Sequence, residues 1–257
     1  MPVFTPLTPV GVEVTDARID DLDDHEIESL RVALAAHGVV IMPDQEADDE
    51  AFLRFVRRFG ETVFTVGETP VPGRPELNVV TNVGRTRPPR SSFHTDTSYI
   101  SNPPAYTALR AVSVPERGGQ TLFTNQYAAY STLPTRMRTM LEGRTITHVV
   151  TGVTPDGRQE SAATHPIFLQ HPVSGRTALY MSTPERCSEV SGMAPGLAAE
   201  TVAYLFEHST REENVYRHSW APGDVVMWDN RCVLHKADHD GVVGDRVLHR
   251  GMVAAPA

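Results

Sequence analysis

Two kinds of apolar pattern follow one another along this chain. Over residues 24–37 apolar positions recur at helical spacing, with Ile27, Leu30 and Leu34 on one face and Gly38 as a stop; this predicts an amphipathic helix. The unbroken run Val39-Val40-Ile41-Met42 predicts a short buried strand. A second helix is predicted over about 48–59, where Asp48 can cap the start, Phe52, Phe55, Val56 and Phe59 form the apolar face, and Gly60 ends it. From about residue 77 the pattern shortens to β-type runs at 77–81, 105–114, 120–124, 145–150, 178–181, 215–220, 225–228 and 246–253. Turn-forming groups such as Arg117-Gly118-Gly119, Ser174-Gly175 and Pro222-Gly223-Asp224 separate them. Helical interruptions are predicted near 126–142 and 195–208, and loops at 66–76 and 82–93, the second running straight into His94. Many short strands with turn punctuation predict a mainly β chain with flanking helices, a sandwich or jelly roll, folded as one domain over residues 1–257.

Composition narrows the function classes. With 40% apolar and 21% charged residues, the chain is ordinary for a globular protein. No apolar run approaches the length of a membrane span. The stretch MPVFTPLTPVGVEV lacks a basic region followed by an apolar one, so no secretory signal is expected. Cys187 and Cys232 are too few and too isolated for a disulfide framework or a zinc knuckle, which makes a reducing cytoplasm the expected compartment. A net charge of -9 without a basic tract argues against nucleic acid as a partner. The expected partner is a small molecule, and a homo-oligomer stays open.

The chemistry concentrates at Ser91-Ser92-Phe93-His94-Thr95-Asp96. In an extended segment residues i and i+2 share a face, so His94 and Asp96 can offer an imidazole and a carboxylate to one ion. A third ligand is expected from the segment after Trp228-Asp229-Asn230-Arg231, where His235 and His239 both stand; spacing does not choose between them. Two histidines and one carboxylate on one face of an octahedral metal leave open positions, the arrangement that suits non-haem Fe(II) and oxygen. Of the 11 histidines, His25, His37 and His208 fall in helical stretches and are expected to be solvated, whereas spacing assigns no role to His165, His171, His218 or His249.

Further pieces follow in order: Pro103-Pro104, Gly118-Gly119-Gln120-Thr121, Thr164-His165-Pro166, His171-Pro172-Val173-Ser174-Gly175, and Arg246-Val247-Leu248-His249-Arg250. Taken together with His94-Thr95-Asp96 and Trp228-Asp229-Asn230-Arg231 before His235, these motifs mark a chain that resembles the taurine dioxygenase (TauD/TfdA-like) family of Fe(II)- and 2-oxoglutarate-dependent oxygenases. The resemblance implies a double-stranded β-helix, a form of jelly roll, and a metal held by His94, Asp96 and His235. It implies that Arg246 and Thr121 bind the distal carboxylate of 2-oxoglutarate, a role that suits a guanidinium fork and a hydroxyl. Read without the resemblance, Arg246 and Arg250 would be cross-strand ion pairs. Arg250 matches an arginine that faces the substrate's acidic group in taurine-oxidising relatives. His165, His171 and Trp228 recur in the family pattern as packing groups or partners of ligands, and Asp229 and Asn230 are expected to shape the turn before His235. Related halogenating enzymes carry a small residue where Asp96 stands, so halogenation is not expected. The implied reaction consumes O2 and releases succinate and CO2 while oxidising a substrate C–H bond.

The substrate region departs from the family. Thr65 and Arg90 stand where partners for taurine's ammonium are expected, and Met181-Ser182-Thr183-Pro184-Glu185-Arg186 replaces an Asn-aromatic run. Thr65, Arg90, Glu185 and Arg250 are therefore the candidate substrate contacts, for a small anionic or zwitterionic molecule, with taurine itself a poor substrate. The alternative for Glu185 and Arg186 is a solvated loop pair. The segment between Val150 and His165, where relatives carry a lid, is shorter than usual. Other readings are a desaturase or cyclase using the same cofactors, a non-catalytic jelly-roll binding protein, and a zinc hydrolase.

Overall fold

The computed structural model describes residues 1–65, 67–84, 91–151 and 160–254. Both predicted N-terminal helices are present. The first, Asp24–His37, starts at a reciprocal cap in which Glu26 N donates to Asp23 Oδ1 and Asp23 N donates to Glu26 Oε2. Such a cap satisfies two backbone donors that the helix itself leaves unpaired. Gly38 closes the helix at φ 78°, and a Cβ there would lie 2.7 Å from Val233 Cγ2. Asp23→Ala should lower stability by about 1 kcal/mol, read as a lower urea midpoint at unchanged slope. The second helix, Asp49–Arg57, is capped by Asp48 through Ala51 N.

Among the described residues the largest sheet has nine strands. Its centre runs Val39–Met42, Val225–Asp229, Pro104–Ser113, Val247–Ala254 and Arg74–Thr81 as antiparallel neighbours. Alternation along these strands feeds two different cores. Val40, Met42, Val225, Met227 and Ala108 pack against Leu30, Leu34, Phe52 and Phe55 of the helices. Val39, Ile41, Val226, Trp228 and Leu109 point the other way and meet Phe123 and Val233. Those two belong to a three-stranded sheet of Val215–His218, Thr121–Asn125 and Val233–Ala237. Its outer face carries Leu122 and Leu234 into a third core with Ile146, Leu179, Val202 and Leu205. The result is a β-sandwich of the jelly-roll class with helices on its flanks, as the strand spacing predicts.

The Asp49 carboxylate pins the second helix to the sheet, accepting from Arg110 Nη2 at 2.5 Å and lying 2.6 Å from His249 Nδ1. His249 therefore faces away from its neighbour Arg250, as strand alternation requires.

Several expectations change. The 66–76 stretch contains Pro70–Val71 and the first residues of Arg74–Thr81, joined through Gly73 at φ 75°. Its turn residues mark a hairpin and not a long loop. Val3–Pro6, Val12–Thr15, Ala162–Pro166 and Cys187–Val190 are strands that the apolar pattern did not reveal; all are short, and of the four only Val12–Thr15 alternates buried with half-buried positions. The 126–142 helical stretch divides into Gln126–Ser131 and Thr135–Leu141 around Pro134. His208 is buried, not solvated, with its Nε2 2.9 Å from Ala129 O, because Pro195–Ser209 packs that side inward. Cys187 and Cys232 are buried and unpaired. Among the described residues no helix is long and apolar enough to cross a membrane.

Candidate active site

His94 and His235 are brought together by backbone pairing. Each donates its N–H to the other's carbonyl at 3.0 Å, an isolated antiparallel bridge between the 91–96 segment and Val233–Ala237. Their rings lie 4.3 Å apart between centroids. Alternation then sorts the next residues. Thr95 turns into the protein, donating its hydroxyl to Met181 O at 2.9 Å, and Asp96 returns to the histidine side. Asp96 lies 3.7 Å from His94 Nε2 through Oδ1 and 3.7 Å from His235 Nε2 through Oδ2. These separations exceed those of good N–H···O bonds, and the three donor atoms all lie within 4.8 Å of one another. The set fits a shared cation better than mutual hydrogen bonding. His239 is not part of this group.

The surrounding residues prepare the donors. Asn230 Nδ2 donates to Thr107 Oγ1 at 2.9 Å, and Thr107 donates to Asp96 Oδ2 at 2.7 Å, a relay that orients the carboxylate. His94 Nδ1 lies 2.8 Å from Ser92 O, which leaves Nε2 facing the site. Trp228 packs on the His235 ring at 4.4 Å between centroids. Burial pushes the His235 imidazole down to about 3, so it keeps its lone pair. Burial would raise the Asp96 carboxyl, but the neighbouring His235 and His94 rings and the Arg250 guanidinium outweigh it and hold it well below the usual range. A neutral imidazole and an ionised carboxylate are the forms a metal requires.

The residues before the ligand strand make a second buried cluster. His171 Nε2 lies 2.9 Å from Asp229 Oδ2, and Arg231 donates to both oxygens of Asp229. This network holds the turn ahead of His235, the role expected of Asp229, while Asn230 extends instead toward Asp96. His165 Nε2 lies 2.8 Å from Ser98 O, and His218 Nε2 pairs with Asp224 at 3.0 Å.

Arg246 is 1% exposed. Its Nε donates to Gly119 O at 2.7 Å and its Nη2 to Thr121 Oγ1 at 3.1 Å, while Nη1 is buried without a hydrogen-bond partner. No carboxylate pairs with it among the described residues, so the cross-strand ion pair is not found; burial pushes its pKa down to about 10. Thr121 Oγ1 also accepts from Trp220 Nε1 at 3.0 Å. With two donors aimed at its oxygen, the Thr121 proton is free to point at an incoming acceptor.

Arg250 does sit beside the metal group, with Nη1 3.7 Å from Asp96 Oδ1. Its Nε donates to Asn78 Oδ1 at 3.0 Å and its Nη2 pairs with Glu68 Oε1 at 3.2 Å. Thr65 Oγ1 is 3.3 Å from Thr97 Oγ1, and both line a cavity of about 340 Å³ with Phe64, Tyr99 and Glu160. Glu185 is exposed, whereas Arg186 is half-buried and donates Nε to Thr151 Oγ1 at 3.1 Å. Arg90 and residues 152–159, half of the 150–165 segment, lie outside the described residues. Thr107, Trp220 and Glu68 are site residues that the sequence patterns did not single out.

Comparison with known proteins places the chain in a family. The profile of the family described as taurine catabolism dioxygenase TauD, TfdA matches residues 4–252. An alpha-ketoglutarate-dependent 2,4-dichlorophenoxyacetate dioxygenase of Cupriavidus pinatubonensis is 31% identical over 95% of this chain and 94% of its own length. A relative from Schizosaccharomyces pombe is 30% identical over 94% of this chain, which spans 66% of that longer protein. The crystal structure of a taurine dioxygenase from Burkholderia xenovorans superposes with a TM-score of 0.86 and 31% identity, covering 99% of this chain and 91% of that one.

Proposed function

Because this chain belongs to the TauD, TfdA family and is an Fe(II)- and 2-oxoglutarate-dependent dioxygenase, we propose that it hydroxylates a C–H bond of a small acid-bearing molecule, anionic or zwitterionic. We assign Fe(II) to His94, Asp96 and His235, the distal carboxylate of 2-oxoglutarate to Arg246 and Thr121, and residues 1–257 to one catalytic domain. The observation that carries the reading is Arg246: a buried guanidinium with an unpaired Nη1 is expensive unless an anion completes it.

Iron and 2-oxoglutarate, when bound, would supply the oxidising chemistry, in which O2 is consumed and succinate and CO2 are released. The chain's own residues position and shield that chemistry. Arg246 and Thr121 would hold one carboxylate of 2-oxoglutarate and so fix its orientation. The Asn230–Thr107–Asp96 relay keeps the carboxylate ligand oriented. Thr65, Arg250 and the wall formed by Phe64 and Tyr99 border the substrate space; Arg90 and Glu185 are secondary candidates for the same space. Asp96 keeps a carboxylate at the position where halogenation needs an open one. The two free thiols suit the reducing cytoplasm, which we assign as the compartment.

Adding 2-oxoglutarate anaerobically to the Fe(II) protein should produce a weak visible charge-transfer band that a chelator removes. A panel of sulfonates, aryloxyacids, amino acids and phosphonates, read by succinate release, should contain at least one acid that raises turnover. Absence of the band with bound iron would overturn the assignment of the co-substrate carboxylate to Arg246 and Thr121.

A further inference from the structure

Glu68 changes what the substrate side of the site can recognise. Its Oε1 lies 3.2 Å from Arg250 Nη2, and Asn78 bridges the two side chains, accepting from Arg250 Nε at 3.0 Å and donating to Glu68 Oε2 at 3.5 Å. The third guanidinium nitrogen, Nη1, faces Asp96 at 3.7 Å. Every nitrogen of Arg250 thus already faces a protein oxygen, in contrast to Arg246, whose Nη1 has none. One arginine awaits an anion; the other has a carboxylate in place.

We infer that the Arg250–Glu68 pair reads a zwitterion, the substrate's acid exchanging onto Arg250 while its ammonium takes Glu68. This deepens the oxygenase reading and rests on it. The argument is one of charge pairing in a partly desolvated site. The Glu68 side chain is 39% exposed and that of Arg250 12%. A simple anion that took Arg250 would strand Glu68 beside it as a second negative charge. A simple cation on Glu68 would strand Arg250. A zwitterion replaces one ion pair with two and leaves neither group alone, so it avoids the cost of an unpaired charge.

The cavity lined by Thr65, whose carbonyl accepts from Glu68 N at 3.3 Å, supports the cationic half. Phe64 and Tyr99 line it together with Glu160, and no lysine or arginine does among the described residues. Aromatic faces and a carboxylate favour an ammonium group over a second acid. The Tyr99 hydroxyl is pushed up by burial, with Arg186 opposing and the negative charges of Glu68 and Asp96 adding to it, which places both carboxylates within electrostatic reach of that wall.

The test uses the iron-loaded enzyme with matched acids that differ only in an amino group: taurine against ethanesulfonate, and leucine against 4-methylpentanoate, within a panel of such pairs. Succinate release gives kcat/KM for each member, and heat stability with each acid gives an independent measure of binding. The ratio within a pair does not depend on how much of a variant is folded. Wild type should prefer the amino-bearing member, and Glu68→Gln should cut that preference by about tenfold or more, partly by improving use of the des-amino acid. If wild type prefers the des-amino acids, or if the ratio is unchanged in Glu68→Gln, the pair does not read a zwitterion although the acid-substrate reading stands. If no acid raises succinate release or heat stability, the acid-substrate reading falls, and this inference with it.

Discussion

Alanine at His94, Asp96 or His235 should abolish Fe(II)-dependent turnover and bound iron together. Removing even an outer partner of a metal ligand typically costs roughly 10–100-fold, so loss of a ligand itself should exceed that range. The fold should survive in the histidine variants, because the bridge between residues 94 and 235 is made by backbone groups. Asp96→Ala carries an additional stability cost, since it leaves the Thr107 hydroxyl without its acceptor and removes one of the two carboxylates beside Arg250. Iron content after gel filtration, circular dichroism and succinate release separate these effects. His239→Ala should keep its iron; the reverse pattern, with His235→Ala retaining the metal and His239→Ala losing it, would overturn the assignment.

Arg246→Ala should raise the apparent constant for 2-oxoglutarate by about 30-fold or more, because truncating one side of a buried charge pair costs roughly 2–5 kcal/mol. Arg246→Lys should recover only part of this, since an ammonium cannot form the two-pronged contact. A second readout distinguishes co-substrate binding from a structural role. With no internal carboxylate opposite it, Arg246 is a burden on the co-substrate-free protein, so Arg246→Met should leave the melting temperature of that form unchanged or higher. The same variant should lose the melting-temperature rise that 2-oxoglutarate gives the wild type. An unchanged constant in Arg246→Ala would exclude the carboxylate role.

The parts of the site legible in the sequence are those that depend on local period. His94 and Asp96 share a face because they are two residues apart in extended chain, and Phe52, Phe55 and Val56 share one because they follow helical spacing. The choice of His235 over His239 needed more than spacing; in the structure His235 lies within Val233–Ala237 and pairs with His94, and His239 lies past the strand end. Thr107 could not be found by pattern. It is one threonine in a ten-residue strand, and its role follows from a register that sets it opposite Trp228 and Met252. Glu68 lies in a stretch without periodicity, so its meeting with Arg250 is purely tertiary. Arg246 shows the reverse limit: its charge is plain in the sequence, but the absence of an opposing carboxylate among the described residues is visible only in three dimensions.

The two buried cysteines make the molecule its own reporter of opening. Cys232 is 1% exposed, three positions before His235, and burial holds its thiol well above the ordinary range. Cys187 is 5% exposed, next to Arg186, and burial pushes its thiol up to about 12. Neither can meet a thiol reagent, or form the reactive thiolate, while its surroundings stay closed. Labelling therefore proceeds only as fast as each region opens. Cys232 tracks the approach to the ligand strand and Cys187 the turn at 181–187, so the two sulfurs time the loosening of the metal side and of the 181–187 side separately, in one sample and without any introduced cysteine.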